Sequence, residues 1–377
     1  MRMTCLQENL AKGLSVVSRA VATRSTLPVL ANVLLATDES RLKLSATDLE
    51  VGINCWIGAS VEEEGATTVP ARLLADFVNS LPPERLDLAL VTRTQTLNLK
   101  CGRYEANIKG IDAQEFPLIL VPEQDNIVRI RPDLLRRMID QVAFAAATDE
   151  SRPVLTGVLA DLKEDHLTFA AADGYRLSVS SIELEEGIPQ PMSIIIPARA
   201  LQELRRISGE QQGPIQMLVA PTRNQVFFRL TDVDLVSQLV EGSFPDYSRI
   251  IPTTCNCKVS VNASEFLQAM RMAFIFARDA SNMVRLQIVA DQGTDSGRLI
   301  ITAASAEHGD NISELNAQVD GKPMEIAFNA KYFIDALSVI DTEDMVLELR
   351  DASSPGVIRP AGASGFVHVI MPMYVAH

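Results

Sequence analysis

The segment Val69-Pro70-Ala71-Arg72-Leu73-Leu74 has two similar copies further along this chain, which indicates an internal repeat. The second copy is Ile196-Pro197-Ala198-Arg199-Ala200-Leu201, and a more divergent third copy is Phe328-Asn329-Ala330-Lys331-Tyr332-Phe333. The basic residues of the three copies are 127 and 132 positions apart. Proline has a φ angle suited to a helix, and its missing N–H does no harm in the first turn. Each copy therefore predicts the start of a helix.

A strand pattern that ends in a polar residue lies upstream of each copy. It covers residues 42–48, 167–173 and 299–305, which are 125 and 132 positions apart. Because independent landmarks share nearly one offset, the chain consists of three similar repeats of about 125 residues, a common size for one domain. We expect domains at residues 1–121, 126–252 and 253–377, with a polar linker at 122–126.

Two amphipathic helices and several short strands recur in each repeat. Apolar residues at helical spacing predict helices at residues 8–20, 70–79, 132–147, 197–207, 264–278 and 330–340. Strands separated by turn signals follow them, beginning with residues 29–36 in the first repeat and 154–162 in the second. The expected fold class is α+β, with two helices packed on one side of antiparallel sheet in every domain.

Composition favours a cytoplasmic protein without a metal or other cofactor. The chain has 377 residues and is 47% hydrophobic, yet it contains no apolar run long enough to span a membrane. Its first residues lack the apolar core of a signal peptide. Cys255 and Cys257 are the closest of five scattered cysteines, and no further Cys or His lies nearby, so free thiols are expected.

The net charge of -14 argues at first against a nucleic acid partner. However, the six predicted helices contain eleven basic and seven acidic residues, a net charge of +4, which leaves -18 for the rest of the chain. A basic helical layer on an acidic protein can attract a polyanion locally. The alternative is that these are ordinary helix-face charges without a collective role.

Motifs of catalysis and nucleotide binding are absent. The sequence contains no GxGxxG, no GxxxxGK[ST] and no GxSxG, and its four histidines are isolated. Asp48 and Asp173 occupy equivalent repeat positions and could serve in acid–base chemistry, but the third repeat has Ser305 there. An aspartate that follows a strand also suits a turn. We therefore expect no enzymatic activity.

Several further segments resemble the bacterial DNA polymerase III beta subunit family, the replicative sliding clamps. They are Thr47-Asp48-Leu49-Glu50, Ala172-Asp173-Gly174-Tyr175-Arg176-Leu177, Phe244-Pro245-Asp246-Tyr247 and Met371-Pro372-Met373, and the resemblance extends along the whole chain. It implies a head-to-tail homodimer that forms a closed ring of six domains around duplex DNA. Helices would line the hole, and sheets would form the outer rim.

The resemblance also implies three sets of functional residues. The DNA-contacting residues would be Arg24, Arg72, Arg152 and Arg199. A groove for partner peptides would use Leu155, Gly174, Tyr175, Arg176, Leu177, Pro245, Arg249, Ile250, Val369, Met371, Pro372 and Met373, with Arg176 and Arg249 orienting the peptide's polar groups. The dimer interface would set Ile275 and Phe276 against Ala106 and Ile108.

The leading hypothesis is a processivity factor that encircles DNA without sequence specificity and tethers its partners through the groove. The partners implied are the DNA polymerase III alpha subunit, the clamp loader and other proteins with clamp-binding motifs. Two alternatives belong to other classes. One is a metal-dependent hydrolase or nuclease that uses Asp48 and Asp173, and the other is a self-assembling scaffold that binds peptides but no DNA.

Overall fold

A computed structural model describes residues 1–117, 119, 127–149, 151–188, 190–220, 224–290 and 296–374. The expected linker at 122–126 and the terminal His377 lie outside these residues. Close contacts divide the chain into two compact units. The first unit consists of Met1–Asp133 and Arg199–Leu239, and the second of Leu134–Ala198 and Val240–His377. Residues of the second repeat therefore occur in both units.

Antiparallel sheet dominates both units. The strands in the described ranges are β1 Arg2–Leu6, β2 Asn32–Asp38, β3 Arg41–Thr47, β4 Val51–Gly58, β5 Ser60–Glu63, β6 Ala66–Pro70, β7 Arg85–Val91, β8 Thr96–Cys101, β9 Tyr104–Lys109, β10 Ile127–Ile130, β11 Gly157–Lys163, β12 His166–Ala172, β13 Arg176–Glu183, β14 Met192–Pro197, β15 Ile215–Ala220, β16 Gln225–Arg229, β17 Val233–Gln238, β18 Cys257–Asn262, β19 Met283–Ala290, β20 Ser296–Ser305, β21 Gly309–Gly321, β22 Met324–Asn329, β23 Asp344–Leu349, β24 Gly356–Pro360 and β25 Phe366–Ile370. The first unit has a sheet of order β5-β1-β7-β8-β9 and another of order β10-β15-β16-β17-β4-β3-β2-β6. The second unit has one sheet, β14-β11-β12-β13-β25-β24-β23-β18-β21-β20-β19-β22.

All six predicted helices are confirmed, and their ends differ from the predicted ones by up to five residues. They are α1 Gln7–Val17, α2 Ala71–Asn79, α3 Pro132–Val142, α4 Ala198–Ile207, α5 Ala263–Ala277 and α6 Ala330–Leu337. Pro70 and Pro197 end the strands before α2 and α4, so the prediction of proline inside the first turn is wrong by one residue. The observed ends also leave Arg19 and Arg278 just beyond α1 and α5, which lowers the net charge of the helices from +4 to +2.

Two predicted strands begin later than expected. Residues Pro28–Ala31 and Pro153–Thr156 form short 3-10 turns, and β2 and β11 start only after them. The cause is proline at the first position of each turn, where its fixed φ favours helical geometry over strand geometry. This error occurs at equivalent positions in two repeats, so it reflects a shared local structure.

In both units, helices pack on sheet through the predicted apolar stripes. In the first unit α1 buries Leu10, Leu14 and Val17 and contacts β3, β4 and α2. In the second unit α5 contacts β20, β21 and α6. There Phe333 packs against the rings of Phe266 and Phe328, with centroid distances of 5.4 and 5.2 Å. Burial of such side chains contributes about 1.5–3 kcal/mol each.

Strand pairs between successive repeats form two junctions, one within each unit. At the first junction β4 pairs with β17, with Val51 opposite Ser237. At the second junction β13 pairs with β25, with Arg176 opposite Ile370. In both cases the third long strand of one repeat meets the last strand of the next. The repeats are therefore joined by continuous hydrogen-bonded sheet.

Equivalent polar turns follow β3, β12 and β20. The Asp48 carboxylate accepts the backbone N–H groups of Glu50 and Val51 at 3.1 and 2.8 Å. The Asp173 carboxylate accepts those of Tyr175 and Arg176 at 2.9 and 3.0 Å. In the third repeat the Ser305 hydroxyl accepts the N–H groups two and three residues further on, both at 3.3 Å. These contacts give the two aspartates a structural role as turn residues.

The second junction buries a histidine. His368 lies opposite Ser178 in the β13–β25 pair, and its Nδ1 is 2.6 Å from the Ser178 hydroxyl. Its Nε2 has no hydrogen-bond partner among the described residues. Burial lowers the pKa of His368 from 6.5 to about 3, and the positive charge of Arg176 contributes to the shift. The ring is therefore neutral in the folded protein.

We predict that His368 makes the fold sensitive to mild acid. Below a pH of about 6.5 the unfolded chain binds a proton that the folded chain does not, so stability falls by about 1.4 kcal/mol per pH unit until the folded pKa is reached. Replacing His368 by asparagine (H368N) keeps a hydrogen-bond partner for Ser178 and removes the titrating imidazole ring. Urea unfolding should then show a flatter pH dependence than wild type between about pH 5 and 7. The exposed His166 provides the control variant H166N, and equal flattening in both variants would contradict this assignment.

Candidate binding sites

A charged cleft in the first unit contains two of the four predicted DNA-contacting arginines. Its volume is about 550 Å³, and Arg24 and Arg199 both line it. The other lining residues come from the segment that follows α1, from the turn after β3 and from α4. They are Ser18, Arg19, Val21, Ala22, Thr23, Ser25, Leu30, Asp48, Leu49, Glu50 and Glu203. The cleft thus combines three arginines, three carboxylates and a partly apolar wall.

Arg199 is held in place by other groups, whereas Arg24 is exposed. The Arg199 guanidinium pairs with Asp48 at 2.8 Å and donates a hydrogen bond to the Arg19 carbonyl at 3.1 Å. Arg24 is exposed in the segment between α1 and β2. Arg72, at the start of α2, is 96% exposed, and its nearest acidic group is Asp76 at 4.0 Å. Arg24 and Arg72 are therefore the more available cations of the predicted set in this unit.

Arg152 belongs to the second unit and lies against the turn after β12. Its Nη2 donates to the Asp173 carbonyl at 3.1 Å. A Cβ added to Gly174 would come within 2.9 Å of this guanidinium, and Gly174 has a positive φ of 95°. Only glycine adopts that conformation without strain. Arg152 is therefore next to the predicted peptide groove.

Strand pairing at the second junction brings much of the predicted groove together. Leu177 lies opposite Val369, and the Met371 N–H donates to the Tyr175 carbonyl at 2.9 Å. Leu177 and Val369 are buried, whereas Tyr175 and Met371 are exposed above them. The remaining predicted residues are partly buried (Leu155, Pro372 and Met373) or exposed (Gly174, Pro245, Arg249 and Ile250). This arrangement gives an apolar floor with an exposed rim.

Three groove residues were missed by the sequence analysis. Phe244, Tyr247 and Ile251 pack against the apolar cluster that contains Leu177 and Val369. They lie in the same segment, residues 244–251, as the predicted Pro245, Arg249 and Ile250. The available signal was the Phe-Pro-Asp-Tyr motif itself, in which the aromatic residues are the ones that pack.

Arg176 makes internal contacts on every side. Its guanidinium pairs with Asp173 at 3.0 Å and Asp335 at 2.6 Å, and it donates to the Phe144 carbonyl at 2.6 Å. It also lies over the rings of Phe144 and Tyr332, 5.4 and 4.6 Å from their centroids. The side chain is only 10% exposed. These contacts fasten the turn after β12 to α6.

The predicted dimer residues differ in accessibility. Ile275 on α5 is exposed, and Phe276 and Ala106 are partly buried. Ile108 is buried within its own sheet. Two large apolar residues at strand edges were not foreseen, namely Tyr104 on β9, which is 50% exposed, and Ile312 on β21, which is 66% exposed.

Neither a metal site nor a disulfide occurs in the part of the chain that the structure describes. No group of three or more His, Cys, Asp or Glu side chains there could hold a metal ion. The five cysteines are unpaired, and burial raises the pKa of Cys5 to about 12 and that of Cys55 to about 11. None of the described helices has the length and apolar character needed to cross a bilayer.

Comparison with known proteins covers the whole chain. Residues 1–120, 129–246 and 248–374 match the N-terminal, central and C-terminal domains of the DNA polymerase III beta subunit. The beta sliding clamp of Synechococcus elongatus is 33% identical over 99% of both chains, and that of Staphylococcus aureus is 32% identical over 94% of both.

Solved structures give the same result. The DNA polymerase sliding clamp of Bacillus subtilis superposes with a TM-score of 0.93 at 27% identity, covering 100% of both chains. A Pseudomonas aeruginosa sliding clamp bound to griselimycin has a TM-score of 0.91 at 30% identity, again over 100% of both. With three clamp domains matched in order, the chain belongs to the DNA polymerase III beta subunit family, the bacterial sliding clamps.

Proposed function

We propose that two copies of this chain close head to tail into a ring that encircles duplex DNA. The protein is a DNA polymerase processivity clamp, and we assign it no catalytic activity of its own. It acts in the cytoplasm, with clamp domains at residues 1–121, 126–252 and 253–377. The main support for the ring is a pair of strand edges that have no strand partner within the described part of the chain.

Each half of a third junction is present but unpaired. Within the described ranges β9 pairs only with β8, and residues Gly309–Ala317 of β21 pair only with β20. In the repeat, β9 corresponds to β17 and β25, and β21 corresponds to β4 and β13. Since the other two junctions form within the chain, we propose that the third forms between two copies.

The register of the two internal junctions carries over to this seam. Val233 lies opposite Cys55 at the first junction, and Phe366 lies opposite Ser180 at the second. The corresponding residues at the seam are Tyr104 and Ile312. These are the two exposed apolar residues at the open edges, so pairing them removes both from water. Ile275, Phe276, Ala106 and Ile108 complete the proposed interface.

DNA binding in this proposal is electrostatic and independent of sequence. Duplex DNA carries one negative charge per about 1.7 Å of its axis, so dispersed arginines can hold it loosely through phosphates. We propose Arg24, Arg72, Arg152 and Arg199 as these contacts. Weak, screened contacts permit sliding, while the closed ring prevents escape. The acidic remainder of the protein discourages binding of DNA elsewhere.

We predict that loaded protein survives a high-salt wash on circular plasmid and is lost from the same plasmid once it is cut. Salt screens the phosphate contacts, so only topology retains the ring. Retention is measured by gel filtration of the plasmid after loading with the clamp loader. Equal loss from circular and linear DNA would contradict encirclement.

The seam offers a matched pair of variants for this experiment. Ile312→Glu places a charge opposite Tyr104 and should abolish retention on the circle. Ile312→Thr keeps a β-branched strand residue and should retain most of it.

The groove at the second junction is the proposed docking site for partner proteins. Its residues are Leu155, Gly174, Tyr175, Arg176, Leu177, Pro245, Arg249, Ile250, Val369, Met371, Pro372 and Met373. Methionine adapts to varied apolar side chains, which suits a groove that receives peptides from several partners. We propose that the polymerase III alpha subunit and the clamp loader bind here. Griselimycin, the ligand of the Pseudomonas aeruginosa clamp, serves as a probe.

We predict that Met371→Ala weakens griselimycin binding about tenfold, because an apolar side chain at the rim is worth about 1–2 kcal/mol. Met272→Ala is the matched control, since both methionines are 40% exposed. Calorimetry measures the affinity, and solution mass confirms that both variants assemble like wild type. Unchanged affinity in Met371→Ala, or an equal loss in both variants, would count against this groove.

A further inference from the structure

At the turn after β3 of the first junction, an arginine bridges two acceptors. Arg199, at the start of α4, pairs with Asp48 in the turn after β3 and donates to the Arg19 carbonyl just beyond α1. The Asp48 side chain is mostly buried. The guanidinium thus connects the second repeat to both the sheet and the helix end of the first.

The second junction uses the corresponding acceptors. Asp173 and the Phe144 carbonyl are the repeat equivalents of Asp48 and the Arg19 carbonyl, each 125 positions later. Both bind the guanidinium of Arg176. Here the arginine comes from β13 and reaches Asp335, the equivalent of Glu203, on α6. An arginine therefore bridges the equivalent two acceptors at both junctions. The two arginines, Arg199 and Arg176, are not equivalent positions of the repeat.

The proposed seam lacks the aspartate that accepts the arginine at the two internal junctions. Ser305 replaces Asp48 and Asp173, and its hydroxyl makes the same turn contacts without a negative charge. Arg72 of a second copy is the equivalent of Arg199, 127 positions earlier in the chain. In the single chain its guanidinium is 96% exposed. The position corresponding to Arg176 is His308, which lies 3.3 Å from Asp279 in its own repeat.

We propose that Ser305 makes the seam the weakest of the three junctions in each chain, because it gives the arginine of the other copy no carboxylate to pair with. This proposal rests on the head-to-tail ring above. Arg72 of one copy faces the turn of Ser305 and the carbonyl end of α5 in the other. Ser305 gives it no carboxylate at the position of Asp48 and Asp173, and Asp279, just beyond α5, lies 3.3 Å from His308 of its own repeat. A second copy of this chain is thus the partner of Arg72.

Ser305→Asp supplies the missing carboxylate and should tighten the dimer. The first two repeats accommodate aspartate at this turn, so the fold tolerates it. A partly exposed ion pair should strengthen each seam by about fivefold, and because the ring has two seams the dimer Kd should fall by about 25-fold. Sedimentation of the full chain without DNA measures this constant. The gain should disappear when Arg72→Gln is added to S305D, whereas Arg72→Gln alone should change the dimer Kd by less than about twofold.

The control variant Ser305→Asn can cap the turn without a charge. If S305N tightens the dimer as much as S305D does, the effect belongs to the turn and the proposal is wrong. The proposal is also wrong if S305D does not tighten the dimer. If the wild-type chain is a monomer at every concentration, the ring itself is wrong, which is a distinguishable result.

A second measurement is independent of the seam variant. Asp48→Ser copies the third repeat into the first junction, and amide hydrogen exchange in β4 and β17 should then accelerate at least about threefold. Unchanged exchange in these strands would also overturn the proposal.

Discussion

Antiparallel pairing between the last strand of one repeat and an inner strand of the preceding one is the constraint on which this structure depends. Each repeat alone leaves two strand edges with unsatisfied N–H and C=O groups. The β4–β17 and β13–β25 pairs satisfy these edges within the chain. Among the described residues, β9 and Gly309–Ala317 of β21 are the repeat equivalents of these paired strands, and each has one edge without a strand partner. We propose that these two edges pair between two copies and so close a ring.

The same junctions create the binding sites. Pairing of β13 with β25 sets Leu177 beside Val369 and so forms the floor of the groove. The charged cleft at the first junction contains Arg24 and Arg199. Because every junction has a turn after an inner strand and the end of a preceding helix, similar geometry recurs with different chemistry. We propose that the apolar second junction binds peptides and that arginines of the first junction contact phosphates.

Much of the fold could be predicted from the sequence because equivalent motifs of the three repeats are separated by nearly constant numbers of residues. Six helices and the turn role of Asp48 and Asp173 follow from spacing and from the chemistry of turns. The predicted strand starts at residues 29 and 154 were wrong, although the residues there are apolar. The fixed φ of Pro28 and of Pro153 favours a 3-10 turn at these positions, so each strand begins after the turn. Contacts between distant segments were the harder part. Nothing in the sequence indicates that Arg176 is enclosed by Asp173, Asp335 and two rings, or that Tyr104 and Ile312 correspond in register.

The most direct test of the account is a cross-link across the proposed seam. Cysteines replace Tyr104 and Ile312 in a Cys255→Ser background, where the four native cysteines that remain are buried. Mild oxidation should then yield covalent dimers of the 41.2 kDa chain, linked at one seam or at both, while a control with cysteines replacing Arg93 and Ile312 stays at one chain. Efficient trapping of the first pair alone is the expected result. Equal trapping of both pairs, or none in either, would contradict the seam and with it the ring.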